Sequence, residues 1–246
     1  MNDIALQFEE RVKEIDAYLE LLVALEDQVK SGIHAEIGGK KITTQQHRIL
    51  YSSVYLQLYN LVEATVTWCI EAVGKAISDA RWHPAQLCPE LVKEWIRYQA
   101  KTHEPLSVES RFEASANLFN RMIHTNPMGT WKVEKSGGNW DDKAVEDFVK
   151  RIGVKLKISA PVYKGVKRFI REERGALELI KFLRNQLAHG FMSFEECGAD
   201  VTVSELADIR KITESYLKEV IDSFREFIGG FYFLSPASRL VAVVNS

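Results

Sequence analysis

From about Gln45 to Ile77 the chain has no proline and one glycine, Gly74, and its apolar residues occupy much of the helical circumference rather than one stripe. A helix that is apolar on several sides needs neighbours on several sides, so it belongs at the centre of a fold. This segment sets a helical architecture, and the remainder of the 246 residues must supply the helices around it.

Ile4 to Gln28 supplies the first: Leu6, Phe8, Val12, Ile15, Leu19, Leu22 and Leu25 recur at spacings of three and four and form one stripe. Gly32, Gly38 and Gly39 then interrupt the pattern, and Thr43 or Thr44 can cap the central helix. Beyond it, Trp82-His83-Pro84 marks a break, Leu87 to Thr102 reads as a helix closed by Pro105, and Ser107 to Ile123 reads as another. Asn126 to Asn139 is rich in loop residues, with a short strand expected around Trp131-Lys132-Val133, and Asp141-Asp142 caps a helix to about Arg151. After a loop at Ser159-Ala160-Pro161, one helical period is expected to run from Tyr163 to Ala188, with Gly190 just past its end. Thr202-Val203-Ser204-Glu205 fits a capping box, and Leu206, Ile209, Ile212, Tyr216, Leu217, Val220, Ile221 and Phe224 trace the last helix to Gly229-Gly230. The tail from Phe231 to Val244 is open to three readings: a strand, a packed extended arm or an oligomer contact. Strands and helices do not alternate, so the expected class is an all-α bundle.

Composition excludes several classes of function. The formal charge is -2 and the hydrophobic content 46%, an ordinary globular balance. Cys69, Cys88 and Cys197 are odd in number and lack zinc-ligand spacing, so they read as reduced, buried thiols, and no metal or cofactor is expected. The opening Met1-Asn2-Asp3-Ile4 is unlike a secretory leader, and the apolar run Phe227 to Leu234 is short and interrupted by Gly229-Gly230; the expectation is a cytoplasmic chain with no membrane span. HExxH, GxSxG and GxGxxG do not occur, and Gly39-Lys40 fails as a P-loop because His34 stands where its first glycine is required.

One constellation remains, Leu183-Arg184-Asn185-Gln186-Leu187-Ala188-His189-Gly190, an Arg-x4-His segment at a helix end. Arg97 and His103 meet a looser version of the spacing and are read as structural, because Tyr98 follows the arginine and Pro105 ends the segment. On a wheel drawn through the expected 163–188 helix, Phe169, Ala176, Ile180, Leu183 and Leu187 form the apolar stripe. Lys167, Arg171, Arg174 and Lys181 cluster opposite, together with Asn185 and His189, and Arg184 sits at the boundary. Lys150 to Arg184 holds 11 Lys and Arg against 3 Asp and Glu, a local +8 that leaves the rest of a -2 chain near -10. Such asymmetry suits a strip that binds a polyanion; it also suits a solvated helix face. His189 can equally be a cation favoured at a helix C-terminus, and Arg184 can pair with a carboxylate such as Glu63. His34, His47, His83 and His124 have no partners at recognisable spacing, and Trp82, Trp95, Trp131 and Trp140 read as core aromatics before base-stacking ones.

Arg184-Asn185-x3-His189 resembles the Arg-x(4 to 6)-His signature of the HEPN superfamily. Leu58-Tyr59-Asn60-Leu61-Val62-Glu63-Ala64, Gly138-Asn139-Trp140-Asp141, and Asn185 through Gly190 followed by Ser193-Phe194-Glu195-Glu196-Cys197-Gly198 resemble its MAE-like branch, over about residues 5 to 230. The resemblance implies one HEPN-like domain over 1–230, an up-and-down all-α helical bundle with 82–159 a helical and loop insertion between its core helices and 231–246 a tail. It further implies a homodimer whose two Arg/His motifs face each other across a cleft, and metal-independent endoribonuclease activity of the toxin or anti-phage type. Arg184 and His189 are then the catalytic pair, Asn185 the residue that orients them, and Asn60 and Glu63 the supporting polar positions on the central helix. RNA is the implied partner, with Lys167, Arg171, Arg174 and Lys181 as its phosphate contacts and an antitoxin or defence-system protein as a further partner. The other function the resemblance allows is a non-catalytic module that binds RNA, a nucleotide or a protein.

Overall fold

In a computed structural model of the chain, residues 1–32, 35–100, 105–123, 133 and 139–244 are described. They form an all-α bundle whose elements follow in order: α1 (Asn2–Lys30), a two-residue ribbon of β1 (Glu36–Ile37) and β2 (Lys40–Lys41), α2 (Thr44–Asp79), a 3-10 turn (Pro84–Gln86), α3 (Pro89–Ala100) and α4 (Val108–Ile123). After these come α5 (Asp142–Arg151), α6 (Ala160–Lys167), α7 (Ala176–Ala188), α8 (Phe194–Cys197), α9 (Val203–Gly229) and α10 (Pro236–Val244).

The long helix α2 is the axis of the bundle, as its all-round apolarity requires: α1, α7, α8 and α9 all pack on it. Of its two candidate caps Thr43 is the one used, accepting from the Gln46 N–H while the Gln46 side chain accepts from the Thr43 N–H. Val54, Tyr55, Leu58, Tyr59, Leu61, Val62, Val66, Cys69, Ile70, Val73 and Ile77 of α2 are buried. Each large aliphatic or aromatic side chain so buried contributes about 1.5–3 kcal/mol relative to exposure. In α1 the stripe is as read except at its start, where Ile4 is buried and Leu6 lies 60% exposed. Helix α9 begins at Thr202, whose hydroxyl accepts from the Glu205 N–H at 3.2 Å. The Glu205 carboxylate does not complete the box but pairs with Arg171.

Three expectations need correction. The helix expected over 163–188 is two helices, because the chain leaves α6 after Lys167 and makes a tight turn in which Arg171 and Arg174 bridge antiparallel. Glu172 and Glu173 at its tip take φ of 50° and 58°, and Phe169, expected in the apolar stripe, is 71% exposed. Gly175 permits the break: a Cβ there would stand 2.2 Å from the Val166 carbonyl oxygen. The tail is neither the strand nor the extended arm among its three readings. Phe231 turns the chain with φ of 53°, Phe233 and Leu234 enter the core beside Leu87, and α10 follows, Ser235 accepting from the Ser238 N–H with Pro236 in the first turn. Residues 35–41, within the glycine interruption, contain the β1–β2 ribbon with Gly38-Gly39 at its tip.

Trp95 and Trp140 are buried, Trp82 is partly so, and Cys69, Cys88 and Cys197 are free buried thiols. His47 packs edge-on against Tyr51, and His83 caps the 3-10 turn. Trp131 and Lys132 of the expected strand, together with His34, His103 and His124, lie outside the described residues; Arg97 pairs with Glu94. No helix among the described residues is long and apolar enough to cross a membrane.

Candidate functional site

Helix α7 ends in a way that fixes the backbone of the Arg-x4-His segment. Its apolar face, Ala176, Leu177, Leu179, Ile180, Leu183 and Leu187, is buried against α2 and α9. The helix closes at His189, after which Gly190 adopts φ of 69° and donates to the Leu187 carbonyl at 3.2 Å. The Phe191 N–H donates to the Gln186 carbonyl at 2.9 Å. This pair of bonds around a left-handed residue is the Schellman closure, and glycine is the residue that adopts it without steric cost.

Arg184, half-buried, leaves α7 toward α2, where its guanidinium lies 4.4 Å from the centre of the Tyr59 ring. It donates to Asn185 Oδ1 at 3.0 Å, and Asn185 Nδ2 donates in turn to Asn139 Oδ1 at 3.2 Å, on the loop entering α5. Among the described residues it forms no ion pair, so the pairing with Glu63 considered from the sequence is not the arrangement adopted. Tyr59 is buried beneath it; burial raises its phenol pKa, the Glu63 charge adds to that, and the Arg184 guanidinium and the Trp140 N–H pull it back. Glu63 is half-buried and Asn60 exposed on the same helix, and among the described residues neither hydrogen-bonds to Arg184 or His189. His189 is exposed, its ring 5.8 Å from that of Phe191 and tilted by 36° to it.

The four cations expected to contact RNA are occupied differently. Lys181 pairs with Asp141, and Lys167 with Asp142 and, at 3.8 Å, with Glu146. Arg171 donates to Glu205 at 3.0 Å and to the Asp200 carbonyl at 3.0 Å. Arg174 pairs with Glu172 at 2.5 Å and lies 3.9 Å from the Phe182 ring centre. Burial works against the Lys167 charge, but Asp142, Glu146 and Tyr163 outweigh it and hold its pKa above the ordinary lysine value. These pairs also brace the fold: Asp141 caps α5 by accepting from the Ala144 N–H at 2.7 Å while it holds Lys181 of α7.

Two residues of the site were not singled out by sequence reasoning, Tyr59 and Asn139. Each stood inside a segment quoted for its family likeness, which was the only signal for it. Among the described residues no group of three or more His, Cys, Asp or Glu side chains is arranged to hold a metal ion. The arrangement therefore offers a guanidinium with donors to spare on a rigid aromatic floor, an amide relay that fixes it, and an exposed imidazole at the next turn.

A family model, the MAE-like HEPN domain, matches residues 2–233. No curated protein and no solved structure gives a significant match.

Proposed function

The chain belongs to the MAE-like HEPN family, and from that premise we propose that it is an endoribonuclease that needs no metal ion and works through Arg184 and His189. In this reading two copies pair so that their Arg/His motifs share a cleft, and the enzyme serves as a toxin or an anti-phage effector. One observation carries it: Arg184 is tied down by Tyr59 and Asn185 yet carries no ion pair among the described residues, which leaves its charge for a phosphate.

The chemistry follows from the residue types. The RNA 2′-hydroxyl oxygen attacks the adjacent phosphorus, the bond from phosphorus to the 5′-oxygen breaks, and the products are a 2′,3′-cyclic phosphate and a 5′-hydroxyl. A proton leaves the 2′-oxygen and another reaches the departing 5′-oxygen. His189 moves these protons, since an imidazole has one ring nitrogen that can accept a proton and another that can donate one. Arg184 clamps the non-bridging oxygens as negative charge grows on them, and its permanent charge and forked donors suit that task. Asn185 orients Arg184 through the bond at 3.0 Å. Asn60 and Glu63 line the approach from α2. Lys167, Arg171, Arg174 and Lys181 act in this reading as braces rather than as free phosphate ligands.

The competing reading, a non-catalytic HEPN module that binds RNA, a nucleotide or a protein, has one observation in its favour. Among the described residues no hydrogen bond fixes the His189 ring, whereas catalytic imidazoles are commonly oriented by one. The two readings separate in a cleavage assay on total RNA and on tRNA with EDTA present, using wild type, H189A and R184A, with folding checked by circular dichroism. The nuclease reading predicts cyclic-phosphate ends from wild type and a loss of about a hundredfold or more in each variant. Folded wild type that binds these RNAs and leaves them intact would establish the module instead.

A further inference from the structure

We propose that Asn139 is a positioning residue for the cleavage step, acting on Arg184 through the Asn185 amide. The inference rests on the nuclease reading above and extends its machinery to the loop entering α5, 46 residues away from Asn185. A guanidinium has donors and no acceptor, so Asn185 serves Arg184 only with its amide oxygen turned toward it. The two ends of an amide are alike in shape and opposite in character. Reversed, Asn185 would set its own N–H donors against a cation. Asn139 Oδ1 favours the useful direction: it accepts from Asn185 Nδ2 at 3.2 Å while Asn185 Oδ1 accepts from Arg184 at 3.0 Å, and the reversed amide would lose both bonds.

The neighbours of Asn139 hold it in place for this task. The Trp140 N–H is bonded to the Tyr59 phenol oxygen. The two groups that hold Arg184, the Tyr59 ring and the Asn185 amide, are therefore themselves held by two consecutive residues, Trp140 and Asn139. Asp141 caps α5 and pairs with Lys181 of α7. Asp142 pairs with Lys167 of α6, and its carbonyl accepts from the Tyr216 hydroxyl of α9 at 3.4 Å. Residues 139–142 thus reach α2, α6, α7 and α9, and Trp140, Asp141 and Asp142 are buried. Anchoring of this kind fixes the backbone from which Asn139 extends, as a side chain that must aim one bond requires. The bond from Asn185 to Asn139 is itself exposed, so water can replace it at little cost in stability. Water does not replace its direction, because water donates and accepts alike. The loss of Asn139 belongs in the rate rather than in the folding.

The test measures kcat and KM on tRNA with EDTA present for N139A, N139D, N185A and N139A/N185A, with a urea titration of each. N139A should lower kcat about tenfold, with KM within about twofold and the urea midpoint close to that of wild type. N139D keeps an oxygen acceptor in the same place and should recover most of that loss. In the N185A background N139A should cost nothing further, because its effect passes through Asn185. Wild-type kcat in N139A, an N139D no faster than N139A, or the same loss with and without Asn185 would each overturn the proposal. A second measurement needs no cleavage: side-chain NMR of protein made with isotope-labelled arginine, the Arg184 signal being identified by its absence in R184A. Rotation of the Arg184 guanidinium should be faster in N139A than in wild type, and unchanged rotation would overturn the proposal. Wild type that leaves RNA intact while N139A frees Arg184 would remove the nuclease reading and keep Asn139 as the residue that positions this arginine.

Discussion

Lys181 and Arg184 are one turn apart on the same helix and carry the same charge, yet they end in opposite states. Lys181 is held by Asp141 from the start of α5; Arg184 lies over Tyr59, is bonded to a neutral amide, and forms no ion pair among the described residues. The contrast extends along the chain. Arg151, Lys157, Lys167, Arg171 and Arg174 are paired like Lys181, and apart from Glu172 their partners come from outside the basic segment: Glu94, Glu226, Asp142 and Glu205. Six of the eleven cations from Lys150 to Arg184 are thus paired, so only part of the local excess of positive charge in sequence is an excess available to a ligand. The candidate catalytic arginine differs from these six in that its described neighbours, Tyr59 and Asn185, fix its position without neutralising it.

Several changes would break or sharpen that contrast. The largest effect is expected for R184K, in which an ammonium loses the planar fork and the flat stacking on Tyr59. Its cleavage rate should fall more than about tenfold at unchanged thermal stability. Next comes D141A, which removes the cap of α5 and leaves Lys181 without its partner. The urea midpoint should drop by the equivalent of about 2 kcal/mol.

Glu173, exposed at φ of 58° in the turn that presents Arg171 and Arg174, should tolerate glycine with a gain of about 1 kcal/mol in the same titration, since only glycine occupies that region without cost. Stability should also fall in alkali. Burial pushes the Cys69 thiol to about 12 and the Cys197 thiol to about 11, the latter against the lowering effect of Arg171. Both thiols have an ordinary value of 9.0. Their raised values mean that the protonated form is favoured in the fold, so this contribution is complete below pH 9 and is lost as pH climbs toward 11 and 12. Denaturation midpoints measured from pH 8 to 11 should decline, and C69A should flatten the decline. The smallest effect is expected for R171A/R174A, whose RNA affinity should change less than about twofold, with the salt slope unaltered; R184A should reduce that slope by about one.

The fold was legible where a periodic pattern ran between caps. Thr43, Asp141 and Thr202 start their helices as their side chains suggest, and the all-round apolarity of α2 placed it correctly at the centre. The break between α6 and α7 was not legible, because Phe169, Ala176 and Ile180 keep a helical spacing straight through it. What ends α6 is a close approach of Gly175 to the Val166 carbonyl and a turn of two charged residues in left-handed backbone, neither of which carries a local signature. The wheel drawn through that break merged residues of two helices and a turn into one basic face. In the candidate site, Arg184, Asn185 and His189 were readable as a motif. The roles of Tyr59 and Asn139 depend on contacts across the fold, in the latter case 46 residues away from Asn185, and no spacing rule reaches that far.

The most direct test of the central claim is a side-by-side comparison of R184A with R171A/R174A in the EDTA cleavage assay on tRNA, with folding and mass verified for each. The account predicts that the single change abolishes cleavage while the double change leaves the rate within about twofold. Equal losses in the two proteins would contradict it, because they would mean that the paired cations carry substrate charge just as Arg184 does.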